Sequence, residues 1–155
     1  MVLRRELRAL ALLGDGPERL RVEAAIRDAG VGERVHIVGQ VADVRPTVAG
    51  STALVLASRM EGLPRSVMEA LSLEVPVVAT DARGSPDLVA PDAGIVVPVG
   101  DVAALARAMD QILDDPDEAR AMGVRGRRRM VEYYELSNLI AQHETLYRDL
   151  LAERA

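Results

Sequence analysis

Two carboxylates, Glu61 and Glu69, stand with seven residues between them in the stretch Ser58-Arg59-Met60-Glu61-Gly62-Leu63-Pro64-Arg65-Ser66-Val67-Met68-Glu69. Pro64 suits the first turn of a helix, because its missing N–H has no intrahelical partner to lose there. The amides of Gly62 to Val67 would then point at an anion, and the helix dipole would favour a phosphate. A carboxylate close to a phosphate repels it, so Glu61 in the loop and Glu69 about one and a half turns into the helix call for hydroxyl partners. Sugar and ribose hydroxyls are the natural donors. Arg65 in the first turn opposes the dipole, so it either serves a phosphate or is solvated. Arg59 has the same two readings.

The elements that must carry these residues alternate. Ala53 to Ala57 is a short apolar run of the kind a buried parallel strand shows, and it leads into the motif. Val75 to Ala79 is a second such run. Earlier, Leu10 to Leu13 reads as a strand ending at Gly14-Asp15-Gly16-Pro17, Glu18 to Ala29 as a helix stopped by Gly30, and Val35 to Val38 as a strand closed by Gly39. A short helix is expected within Val41 to Ala49 after Asp43. Later come a helical turn near Pro86 to Val89, a turn at Asp92-Ala93-Gly94 and a strand over Ile95 to Val97. Asp101 is placed to cap a helix with Leu105, Ala108, Met109 and Ile112 on one face. Further helices are expected over Pro116 to Met130 and Leu136 to Leu151. Strand–helix alternation argues an α/β fold, a parallel sheet covered by helices. In such sheets ligands bind at the carboxyl ends of the strands. Those ends carry Gly14 and Gly16, Gly39-Gln40-Val41, and the Glu61–Glu69 segment. His36 falls in a predicted buried strand and reads as a core histidine. Gly84 reads as a position of close approach or positive φ.

Composition narrows the partners. The chain has 155 residues, enough for one domain, and a formal net charge of −5. No global field attracts nucleic acid. Every basic residue is arginine, and cysteine is absent, which excludes thiolate metal sites and disulfides. His36 and His143 lie far apart with no ligand-like cluster, so no metal site is expected. No apolar run reaches the roughly 20 residues that span a bilayer, and the chain reads as cytoplasmic. The Arg125 to Arg129 cluster reads as a solvated helix face. Its alternatives are a contact with another domain or with anionic lipid, the latter making the parent protein peripheral at a membrane.

Ser58, Glu61, Gly62, Pro64, Glu69, Ala70 and the later Pro76-Val77-Val78-Ala79-Thr80 together resemble the signature of the group 1, or family 4, retaining glycosyltransferases. Gly14-Asp15-Gly16-Pro17, Val35 to Gly39, Gly84-Ser85-Pro86-Asp87 and Pro98-Val99-Gly100-Asp101 fall where the C-terminal domain of that family has its loops. The resemblance implies a GT-B fold, here a Rossmann-like portion of about five strands read as one domain over 1–155, with 101–155 its helical end. It implies a nucleotide sugar, UDP- or GDP-linked, as substrate, with no cofactor. Glu61 would be the catalytic-side carboxylate facing the donor sugar, and Glu69 would take the ribose. Gly62, Leu63 and Pro64 would lie against the diphosphate, with Arg65 near it; Gly39, Gln40 and Val41 would lie along the base, with Gly14 and Gly16 close by. Two readings from other classes stand beside it: a free-standing nucleotide- or partner-binding module, and a nucleotide-sugar epimerase of the same fold.

The chain also departs from the family pattern. Glu74 occupies a slot that usually holds glycine, where a left-handed cap would strain a glutamate by roughly 1 kcal/mol. Asp87 replaces a common glutamate. By the resemblance, the family's first strand of this domain, its Gly-Arg-Leu…Lys-Gly segment and its acceptor domain are expected to lie outside this sequence, which would start within the next helix at about Val2 to Leu7. With that strand missing, Leu10 to Leu13 and Ala53 to Ala57 are expected either to pair directly into one five-stranded sheet or to recruit a second copy through their open edges.

Overall fold

The computed structural model describes residues 9–89 and 91–153. The expected helix at Val2 to Leu7 lies outside them. The chain forms two compact units, Met1–Val44 and Arg45–Ala155.

The first unit holds β1 (Leu10–Leu13), α1 (Arg19–Asp28) and β2 (Val35–Gly39), with the two strands parallel. Leu10 pairs with Val35 and Leu12 with Ile37, after which the register slips so that Leu13 faces Gly39. Side chains alternate along both strands, so Leu10, Leu12, Val35 and Ile37 are half-buried. His36 falls on the opposite, exposed face. The expected core histidine is therefore corrected by strand periodicity alone. Gly30 takes a positive φ just beyond α1, where the helix was expected to stop.

The second unit holds α2 (Arg45–Ala49), β3 (Leu54–Leu56), α3 (Arg65–Ser72), β4 (Val77–Thr80), α4 (Ser85–Val89), β5 (Gly94–Val97), α5 (Val102–Asp114), α6 (Pro116–Tyr134) and α7 (Leu136–Ala152). Its sheet is parallel, in the order β3-β4-β5. β4 is central, and all four of its residues are buried. That is why its sequence is a continuous apolar run rather than an alternating one. Val78, Val97, Ala108, Ile112, Ala119 and Met122 form one core cluster. Val67, Ala70 and Leu71 bury the inner face of α3. Asp101 caps α5 by accepting the Ala104 amide at 2.8 Å, and Asp115 caps α6 by accepting the Glu118 amide at 3.0 Å. α6 runs past the expected Met130 to Tyr134. Among the described residues, no helix is long and apolar enough to cross a membrane.

The direct pairing of Leu10–Leu13 with the Leu54 strand is not formed. Among the described residues β1 pairs with β2 and β3 with β4, and the hydrogen-bonded sheets number two. Each ladder closes inside its own unit, and the chain divides at Val44–Arg45.

Glu74 has a φ of 61°. The Val75 amide reaches the Ala70 carbonyl at 2.9 Å and the Glu74 amide reaches Leu71 at 3.1 Å, the paired bonds of a Schellman ending. The glutamate thus adopts the left-handed cap that glycine usually fills. Its carboxylate lies 3.6 Å from Arg127 Nε, a partner that glycine could not supply. α6 passes close by: a Cβ on Gly123 would stand 1.9 Å from the Glu74 carbonyl oxygen.

The arginine cluster is not merely a solvated face. Arg125 donates to the Asp92 carbonyl, Arg127 to Ser72 and Arg129 to Asp87. Ser72 and Asp87 each precede a proline by four residues, Pro76 and Pro91. Proline has no N–H to return to those carbonyls, and a guanidinium takes its place.

Candidate functional site

The motif loop is fixed from three sides within the second unit. From below, Thr80 closes β4 with its side chain 5% exposed, and its hydroxyl donates to the Ser58 carbonyl just beyond β3. Ser58 in turn donates through Oγ to Glu61 Oε1 at 2.6 Å. A strand-end threonine therefore holds a serine, and the serine orients the carboxylate. Glu61 is half-buried, and with one oxygen held by Ser58 it can present the other to a ligand hydroxyl.

From the side comes Gly84. It is buried, with a φ of +84°, and a Cβ placed on it would lie 1.6 Å from the Gly62 carbonyl oxygen. The chain before α4 thus touches the Glu61–Pro64 loop backbone to backbone. Both expected reasons for glycine at this position, close approach and positive φ, hold.

The third support is α3 itself. Pro64, buried and extended with ψ 113°, precedes its first turn. The Val67 and Met68 amides bond the Pro64 carbonyl at 3.1 and 3.3 Å, and Pro64 has no N–H. Of the amides expected to face an anion, those of Gly62, Leu63, Arg65 and Ser66 have no backbone acceptor among the described residues. Val67 is removed from that set. Gly62 and Leu63 are exposed.

Glu69 lies on the half-buried flank of α3, and its Oε1 is 3.5 Å from Arg65 Nη2. Arg65 is 89% exposed. An exposed pair of this spacing on a helix is worth about 0.3–0.5 kcal/mol, so Arg65 can exchange Glu69 for an incoming anion at small cost. No metal-holding group of three His, Asp or Glu residues occurs among the described residues.

In the first unit the strand ends meet. The Gly14 amide donates to the Gly39 carbonyl at 2.7 Å. Gly16 follows in the turn, its amide held by Asp15 Oδ1 at 2.8 Å. Gly39 is buried, Gln40 exposed and Val41 half-buried. Arg19 stands over this turn, 3.4 Å from Asp15 Oδ2 and 2.9 Å from Glu23 Oε1. The Glu23 hydrogen bond, and then the Asp15 charge, hold its guanidinium above its ordinary pKa. The sequence reading missed Arg19, although the Asp15–Arg19–Glu23 spacing of four is the signal for it. It also gave Thr80 and Ser58 no mechanical role.

The family profile described as "Glycosyl transferases group 1" matches residues 3–129. This chain belongs to that family. Among curated glycosyl transferases it is 30% identical over 145 residues to the N-acetyl-alpha-D-glucosaminyl L-malate synthase of Bacillus anthracis, covering 93% of this chain and 38% of that protein. It is 31% identical to the MMP alpha-(1->4)-mannosyltransferase of Mycolicibacterium hassiacum, over 86% of this chain and 33% of that one. Among solved structures, the sucrose-phosphate synthase of Thermosynechococcus elongatus superposes with a TM-score of 0.82 at 32% identity, over 93% of this chain and 39% of that one. Anabaena Alr3699/HepE in complex with UDP shares the fold at a TM-score of 0.82 and 22% identity, covering 91% of this chain and 41% of that one. The chain thus spans about two fifths or less of the length of these group 1 relatives and fold neighbours.

Proposed function

We propose that this chain is the donor-binding part of a retaining glycosyltransferase, holding a UDP- or GDP-linked sugar while a further domain presents the acceptor hydroxyl. The observation that carries the reading is Glu61, locked by Ser58 and Thr80 beside a helix start at which, among the described residues, the amides of Arg65 and Ser66 have no backbone acceptor. Relatives named for sugar transfer support it. In this scheme the free oxygen of Glu61 accepts from the donor-sugar hydroxyls. The amides of Gly62 and Leu63 and the first turn after Pro64 face the diphosphate, Arg65 turns to a phosphate oxygen, and Glu69 accepts from the ribose. In the first unit the backbone of Gly39, Gln40 and Val41, with Gly14 and Gly16 beside it, is assigned to the base. When the bond between the anomeric carbon and the diphosphate breaks, negative charge grows on the leaving oxygen. Preorganised amides and a cation stabilise that charge more in the transition state than in the ground state.

The test is calorimetry of UDP, GDP and ADP on the complete polypeptide carrying this chain, followed by product analysis. Binding of one diphosphate, with a product of unchanged anomeric configuration, is expected. Absence of any nucleotide binding overturns the donor assignment, and an inverted product overturns retention.

A further inference from the structure

Arg129 lies far along α6, and its guanidinium donates twice to one backbone oxygen: Nε at 3.2 Å and Nη2 at 2.7 Å to the Asp87 carbonyl. The Tyr134 hydroxyl reaches the same oxygen at 3.3 Å. The donor four residues on would be Pro91, which has none, so this carbonyl depends on α6. α4 is five residues long, too short to be held by its own hydrogen bonds. It takes its place from what surrounds it: Ser85, Leu88 and Val89, all buried, and the clamp at Asp87. The residue just before it is Gly84, whose backbone lies against the Gly62 carbonyl.

These contacts form one mechanical series, from Arg129 and Tyr134 to Asp87, through α4 to Gly84, and on to Gly62. We propose that Arg129, assisted by Tyr134, is a positioning residue for the Glu61–Pro64 loop, setting the amides of Gly62 and Leu63 from the far side of α4. Its functional meaning rests on the donor-site reading above. Arg129 touches none of the groups assigned to the ligand; it acts through α4. The Tyr133 ring, 5.6 Å from the Arg129 guanidinium, adds a cation–π contact that steadies the cation.

The experiment is hydrogen exchange, resolved to short peptides, on the wild-type chain and on Arg129→Ala, Arg129→Lys and Tyr134→Phe. Loss of the charged donor is expected to speed exchange of the Val67 and Met68 amides, which bond the Pro64 carbonyl at the end of the loop at 3.1 and 3.3 Å, and through α4 by about tenfold, the scale of a lost charge-assisted hydrogen bond. Amides of β5 and α5 should keep their wild-type rates. Arg129→Lys, which restores a cationic donor, should recover most of the protection, and Tyr134→Phe should show a smaller change of the same pattern. Faster exchange in α4 with no change at the Val67 and Met68 amides held by the Pro64 carbonyl would overturn the proposal, as would a uniform rise across the unit. If Arg129→Ala does not fold, the pattern in Tyr134→Phe decides. Nucleotide affinity is measured in parallel: a wild-type protein that binds no nucleotide refutes the donor reading, while the exchange pattern still decides the positioning role.

Discussion

Glu61 and Glu69 differ in how they are held, and the difference predicts different mutant behaviour. Among the described residues Glu69 pairs only with an exposed arginine, so its carboxylate can take a ligand hydroxyl. Glu69→Ala should weaken nucleoside diphosphate binding by about 1–3 kcal/mol; unchanged affinity in calorimetry removes it from the site. Glu61 is fixed by Ser58 and assigned to the sugar. Glu61→Ala should therefore keep the diphosphate affinity while losing turnover, and an equal loss for diphosphate and nucleotide sugar would sink that division. Ser58→Ala should follow Glu61→Ala in direction with a smaller loss. The two carboxylates and the helix start at Pro64 were legible in the sequence because each is a local pattern. The relay that holds Glu61 was not, because Thr80 reaches Ser58 across 22 residues, and no spacing rule joins two strand ends.

At the level of the elements, the Gly84 contact carries its own test. Gly84 and Gly100 have the same φ of +84°, but a Cβ on Gly100 would meet nothing within 4 Å. Gly100→Ala should cost about 1 kcal/mol, the left-handed penalty alone. Gly84→Ala should cost about 2–4 kcal/mol, because overpacking against the Gly62 backbone is added. Chemical denaturation of both variants measures the difference, and equal costs would show that the Gly62 contact yields freely. Helix starts at Asp101 and Pro116 followed from residues within one turn. The Arg125–Arg129 cluster was misread because its acceptors are carbonyls remote in sequence, up to 55 residues away. Prolines at 76 and 91 were visible in the sequence, but a missing amide announces only that some donor is needed, not which one. His36 was misread for a simpler reason: a strand was recognised without deciding which of its two faces is covered.

On the scale of the whole chain, burial is unevenly shared. Among the described residues no hydrophobic side chain before Val48 is buried, while β4 is buried throughout. Leu20 and Val38 are exposed in the first unit, and Leu136, Tyr147 and Leu151 along α7. Opening free energy follows local burial, so amides of β1, α1 and β2 should exchange well before those of β4. Equal protection in both units, read by hydrogen exchange, would contradict that ordering. Strand–helix alternation announced the parallel α/β architecture; the separation into two ladders was not readable, since strand partners are chosen by contacts remote in sequence.

The meeting of Gly84 with Gly62 has a consequence for how such a protein can diversify. The two segments touch through main chain, so the height of the loop does not depend on which side chain stands at the exposed position 63. Leu63, 48% exposed, can be exchanged without shifting the amides beside it. Preference for one ligand over another can then drift by substitution on a scaffold that stays still, a freedom denied to the glycine itself and to the buried Ser85 that follows it.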